Sequence, residues 1–156
     1  MSYFHVINTI KDALLLEPFC NTVTEGDLYE VDLKKQTIFP LSHIVVNSAS
    51  FEANVIRFNV SIIAMDIVDI SKDIEFNAFR GNDNEQDVLN TQLLLLNRVY
   101  ERISRGDIYS TNFQIDGGNT CEPFRERHEN NLAGWTMTID VLTPNEILFA
   151  TYLTNG

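Results

Sequence analysis

The chain has 156 residues, 44% of them hydrophobic, and 22 acids against 11 bases give it a net charge of −11. That length suits one domain, residues 1–156, with a core of its own. The acidic balance speaks against free nucleic-acid binding, which needs clustered Lys and Arg to displace counterions, and against an anionic membrane surface. It fits ordinary acidic solubility, or a surface that repels DNA. Two cysteines, Cys20 and Cys121, stand outside any CxxC pair and read as a reducing compartment, with a disulfide between them left open. No basic segment precedes an apolar run, and no apolar run nears the roughly 18 residues that cross a bilayer, so a cytoplasm is the expected location.

Residues 3–16 place Phe4, Ile7, Ile10, Ala13 and Leu14 at helical spacing, and Pro18 ends that helix. Residues 22–35 read as a loop with a short edge strand or hairpin arm. His43 to Asn47 is a β-branched strand, and the polar stretch Asn47 to Asn54 turns it into an antiparallel partner.

That partner, Ala53 to Asp69, is the most informative stretch. Ile56, Phe58, Val60, Ile62, Ala64 and Val68 share one parity, as expected of a buried face. On the other parity Arg57, Asn59 and Ser61 are polar, but Ile63, Met65 and Ile67 are apolar. A strand apolar on both sides needs cover on both sides. About 15 residues span about 50 Å, against a radius of gyration of about 15 Å for a domain of this size. The strand is therefore expected to bend, break or reach towards a partner. Ile63, Met65 and Ile67 are the candidate subunit interface, covered either by a second layer of the same chain or by a neighbouring subunit.

Residues 71–87 are polar and irregular, with turn chemistry at Gly81 to Asn84. The long helix follows, from about Asn84 to Arg105. Val88, Gln92, Leu95 or Leu96, Val99 and Ile103 form its stripe, widened by Leu89, Leu93 and Tyr100. Acids at its start and Arg98, Arg102 and Arg105 at its end complement the helix dipole, and Gly106 is placed to close it in the left-handed conformation. Ile108 to Ile115 reads as a strand, Asp116 to Asn119 as a hairpin turn, and Thr120 to Glu129 as a largely polar, exposed arm. Gly134 to Thr143 is a strand with Trp135, Met137, Ile139 and Val141 inward. Residues 146–153 form a further short element. The order predicts an α+β fold: an antiparallel sheet with a long hairpin, and one long helix and an N-terminal helix packed on one face.

Chemistry is harder to find. Asp66, Asp69, Asp73 and Glu75 form an acidic run, but Asp66 and Asp69 have opposite strand parity and point apart. Residues 82–87 lack the glycine and terminal glutamate of a calcium loop and read as helix capping. His5, His43 and His128 are widely separated, without a carboxylate or thiol at ligand spacing. Cys121 with His128 has no activating context. Gly117-Gly118 has neither a following helix nor a Lys, so it is no phosphate loop. Glu122, Glu126 and Glu129 balance Arg125 and Arg127. No catalytic residue, metal or cofactor is implied.

The layout resembles the tail-terminator or tail-completion proteins of tailed bacteriophages, the head–tail connector or neck proteins. The resemblance rests on the N-terminal helix before a loop, on Phe39-Pro40-Leu41-Ser42-His43-Ile44 leading into the first long strand, and on the second strand Val55 to Asp69. Asp87-Val88-Leu89 opening the helix and Asn131 to Ile139 as closing strand complete it. Residues 71–87 depart from that layout. The resemblance implies a structural virion protein with no catalysis, a homo-oligomeric ring at the head–tail junction. It implies assembly in the host cytoplasm, docking to neck, portal-adaptor or tail proteins, and DNA passing through an acidic channel without sequence-specific binding. A closed ring needs one patch set against a different patch on the next subunit. Two alternatives remain: a small α+β enzyme or ligand-binding domain with a pocket under the long helix, and a host-encoded adaptor.

Overall fold

The computed structural model describes residues 2–26, 38–68, 85–106, 111–127 and 131–145. Its elements are α1 (Ser2–Leu15), β1 (Thr22–Glu25), β2 (Leu41–Glu52), β3 (Val55–Ile67), α2 (Glu85–Ile103), β4 (Gln114–Arg127) and β5 (Asn131–Pro144). Among the described residues, five strands lie in one sheet in the order β1-β2-β3-β5-β4. The fold is α+β, but the sheet is mixed rather than antiparallel. The short β1 lies parallel to β2, with Thr22 beside Leu41 and Glu25 beside Ile44, while every other pairing is antiparallel. Residues 69–84 and 146–156 fall outside the described residues, and with them the expected irregular segment and last short element.

β3 is the sheet's central strand because alternation gives it one continuous apolar face. Phe58, Val60, Ile62 and Ala64 are buried and lie in one core with Val6, Ile10, Ala13 and Leu14 of α1 and Leu95, Leu96, Val99 and Ile103 of α2. Both helices therefore cover the same side of the sheet, here called the helix face. Its opposite is the outer face. β3 is one unbroken strand from Val55 to Ile67. It runs about 43 Å at about 3.3 Å per residue, matched on one flank by β2 from Met65 to Val55 and on the other by β5 from Ile67 to Val55.

β5 follows the expected alternation: Met137, Ile139 and Val141 are buried on the helix face. Trp135 is only half-buried there, and its indole Nε1 donates to the Leu89 carbonyl of α2 at 2.8 Å. Gly134 is required between β5 and β3, because a Cβ at that position would overlap the Ala64 carbonyl.

The helices follow their sequence signals with two exceptions. α2 buries Val88, Gln92, Leu95, Leu96, Val99 and Ile103, with Glu85 and Asp87 in its first turn. Leu93, however, is exposed, and in α1 Val6 takes the buried place expected of Phe4, which is 62% exposed. The Glu17 carboxylate is buried after α1 and pairs with Arg98 at 2.6 Å and Arg102 at 3.5 Å, tying the end of α1 to α2. Gly106 does not adopt the left-handed conformation. Its lack of a Cβ instead admits the Thr111 side chain and the Phe113 carbonyl.

Two strand readings are corrected. β2 does not end near Asn47. It continues through the polar run to Glu52, and only Ala53 and Asn54, the latter at φ 65°, make the turn. A solvated strand needs no apolar residues to pair, so hydropathy alone cut it short. Likewise Asp116 to Asn119 is not a hairpin turn. β4 is one strand from Gln114 to Arg127 at the sheet's edge, and Gly117 to Asn119 is a bulge between Asp116, opposite Asp140, and Thr120, opposite Thr138. Gly117 sits at φ 79°, the left-handed conformation that bulges and tight turns both demand, so the two share one signature. Residues 108–110 of the expected preceding strand lie outside the described residues.

Candidate functional site

The three candidate interface residues sit together at one end of the outer face, the base of the β2–β3 hairpin. Leu41 pairs with Met65 and Leu132 with Ile67 across strands. Phe39, Leu41, Met65 and Leu132 form a second buried cluster, with Ile38, Ile63, Ile67 and Phe124 packed half-buried around it. Met65 is 1% exposed, so it forms the floor of this patch. Ile63 and Ile67 keep part of their surface open. The chain itself thus supplies cover for the unexpectedly apolar parity of β3.

Towards the hairpin turn the same face is polar and cross-linked. Arg57 reaches Glu52 at 2.5 Å, Asp116 at 2.5 Å and Asp140 at 3.3 Å, spanning four strands. Its hydrogen bonds to Glu52 and then Asp116 push the guanidinium's pKa further up. The amide of Asn59 donates to Asp140 at 2.9 Å, and that of Asn47 donates to Asn59 at 2.9 Å and Ser61 at 2.8 Å. The charges of this half are therefore answered sideways, within the face.

The helix face of the same hairpin behaves differently. Ala49 stands opposite Phe58 and Phe51 opposite Ile56, so both belong to the face that the helices cover. Yet Ala49 is exposed, and Phe51 is 80% exposed. Among the described residues β1 pairs with β2 only as far as Ile44. Among the described residues the hairpin therefore runs on beyond the β1 pairing, flanked by β5 as far as Pro144 opposite Val55, and it carries an exposed aromatic ring near its turn.

A groove of about 540 Å³ opens at the other flank, between α2 and the β4 edge, lined by Asn90, Leu93, Leu94, Asn97, Tyr100, Cys121 and Met137. Its origin is legible in α2. Four consecutive leucines, 93–96, cannot all face inward on a helix of 3.6 residues per turn; Leu95 and Leu96 do, leaving Leu93 and Leu94 outside. Neither the hairpin tip nor this groove was singled out from hydropathy, although the leucine run was the available signal.

Several other titratable groups have structural partners. His43 is fully buried between β1 and β2: its Nε2 lies 2.9 Å from the Gly26 carbonyl, to which it must donate, and its Nδ1 2.6 Å from the Thr24 hydroxyl. A ring nitrogen of His5 lies 2.8 Å from the Thr111 carbonyl. Asp66 accepts from the Ile67 amide at 2.8 Å, and partial burial pushes its carboxyl pKa up. Cys20 and Cys121 are free thiols, and burial pushes both pKa values up. Glu85 is buried at the start of α2. Asp69, Asp73, Glu75 and His128 lie outside the described residues. Among the described residues no three His, Cys, Asp or Glu side chains converge to hold a metal, and no helix is long and apolar enough to cross a membrane.

These features define an α+β chain that exposes large apolar side chains at the hairpin (Phe51), at a helix-flanked groove (Leu93, Leu94) and on and just after α1 (Phe4, Leu15, Leu16, Phe19). No protein-family model matches the sequence, and no match was found among the curated proteins.

Proposed function

We propose that this chain is a structural virion protein of a tailed bacteriophage, a tail-terminator or tail-completion protein forming a ring at the head–tail junction. On this reading it assembles in the host cytoplasm, docks to neck, portal-adaptor or tail proteins, and lets DNA pass through the ring without sequence-specific binding. It carries out no catalysis. The observation that carries the reading is the β2–β3 hairpin, whose Phe51 is 80% exposed on the face that the helices cover further along the same strands. An exposed aromatic at the end of a long hairpin suits an assembling subunit, for which aromatic side chains make strong contacts. Ile63 and Ile67 add an apolar rim at the base, and the net charge of −11 suits a channel along which DNA must slide.

Size-exclusion chromatography with light scattering, followed by negative-stain microscopy, tests it. A closed ring with a central channel is the expected particle. A monomer that stays monomeric at high concentration and fails to cap tail tubes contradicts it.

The groove beside α2 favours one second reading, a small ligand-binding domain or enzyme. Among the described residues its polar lining is two asparagine amides, one tyrosine and a thiol whose raised pKa makes it a poor nucleophile. A ligand-induced rise in Tm from a metabolite screen, abolished by Leu93→Arg, supports that reading over the ring.

A further inference from the structure

The hairpin tip and the α2 groove are two unlike apolar features on opposite flanks of one sheet. Strand order sets β2 and β4 on either side of β3 and β5, three strand spacings or about 14 Å apart. The tip of one copy therefore cannot reach its own groove, whereas it can reach that of a neighbour.

Charge also permits the pairing. Two copies of a chain at −11 repel, so contact falls where charge is missing. Residues 38–51, leading up to and including Phe51, contain no Asp, Glu, Lys or Arg, and neither do residues 88–97, which supply most of the groove. Glu52, the first acid beyond the tip, is engaged by Arg57. The groove has room for an aromatic ring, with Leu93, Leu94 and Met137 as its apolar lining and Asn90 and Asn97 as amide donors and acceptors at its side.

We infer that the Phe51 tip of one copy seats in the groove between α2 and β4 of the next copy. This deepens the ring reading and rests on it. The contact is heterologous, so it propagates and can close on itself. A buried Phe covers about 150–250 Å², against the roughly 1,200–2,000 Å² of a stable pairwise interface. A single contact is therefore weak, and closure, which makes the last contact intramolecular, supplies the rest. Assembly is expected to rise steeply with concentration.

The test uses Phe51→Asp, with Phe51→Ala as a variant that adds no charge, and Leu94→Arg. All change exposed side chains, and circular dichroism melts should match the wild type. In sedimentation velocity each variant alone should lose association at least tenfold. An equimolar mixture of Phe51→Asp and Leu94→Arg should form a 1:1 dimer and nothing larger, and only at concentrations well above those at which the wild type assembles, because one intact tip and one intact groove remain between them and no ring can close. Rings that persist in both variants overturn the tip-in-groove contact and leave the ring reading standing. Open chains of wild type that need both Phe51 and Leu94 but never close support the contact and remove the ring. A mixture that yields no dimer, or a wild type monomeric throughout, overturns the contact.

Discussion

On the outer face of the sheet, β3 presents Ile63, Met65 and Ile67 at its base and Arg57, Asn59 and Ser61 towards the hairpin turn. The strands are the same in both halves, β3 keeps its parity throughout, and β2 shifts register by one residue at Asn47 between them. At the base, the chain returns over the sheet with Ile38 and Phe39 and makes a second small core. Near the turn, side chains from β2, β3, β4 and β5 satisfy one another laterally. Strand residues thus read their cover rather than their position. A greasy outward parity marks where the chain folds back on itself, and a polar one marks where it does not. Association is then to be sought where residues of core character lack cover. One such residue among those described is Phe51, on the helix face of the same hairpin.

The largest effect expected from this contrast is at Met65. Met65→Asp puts a charge on the floor of the base cluster, at a cost of several kcal/mol, and the cooperative melt should disappear. An aspartate there with a near-normal melt would mean that the base is as open as the distal half. A smaller effect is expected at Arg57. Arg57→Ala strands Glu52, Asp116 and Asp140 together on a wet surface, which should lower Tm slightly at low salt. The loss should fade in about 1 M salt, where the Debye length is about 3 Å; a loss insensitive to salt would show that the ladder is structural. The smallest effect is at Asp66, near the base end of β3. Burial raises its pKa in the fold, so the folded state binds the proton more tightly than the unfolded one. This stability is present below the unfolded carboxylate range and lost as pH rises through the folded pKa. Asp66→Asn should therefore raise Tm at neutral pH, on the order of 1 °C, and the gain should vanish as pH falls into the carboxylate range. A gain that grows on acidification would reverse the sign of the burial argument.

Much of this architecture was legible in the residues. The α2 stripe, the inward set of β5 and the buried parity of β3 follow from periodicity, because long amphipathic elements repeat their signal many times. Short or solvated elements do not. β1 is four residues long, and its parallel register depends on Thr24 and Gly26 meeting His43, a contact no local pattern announces. The outer half of β2 is a strand only because β3 is there to pair with it. The glycines of β4 suit a bulge as well as a turn, and only the partner strand decides. The apolar outward parity of β3 was visible, but not that Phe39 and Leu132 would cover it. The groove was hidden because Leu93 looked like one more member of the buried stripe.

Amide hydrogen exchange, measured on dilute and on concentrated protein, tests most directly whether the β2–β3 hairpin is the surface through which copies meet. Assembly should slow exchange at residues 47–52 and in α2 around Leu93 and Leu94, while residues 63–67 at the base keep the protection they already have in the free chain. New protection confined to the base, with the hairpin and α2 unchanged, would contradict the account.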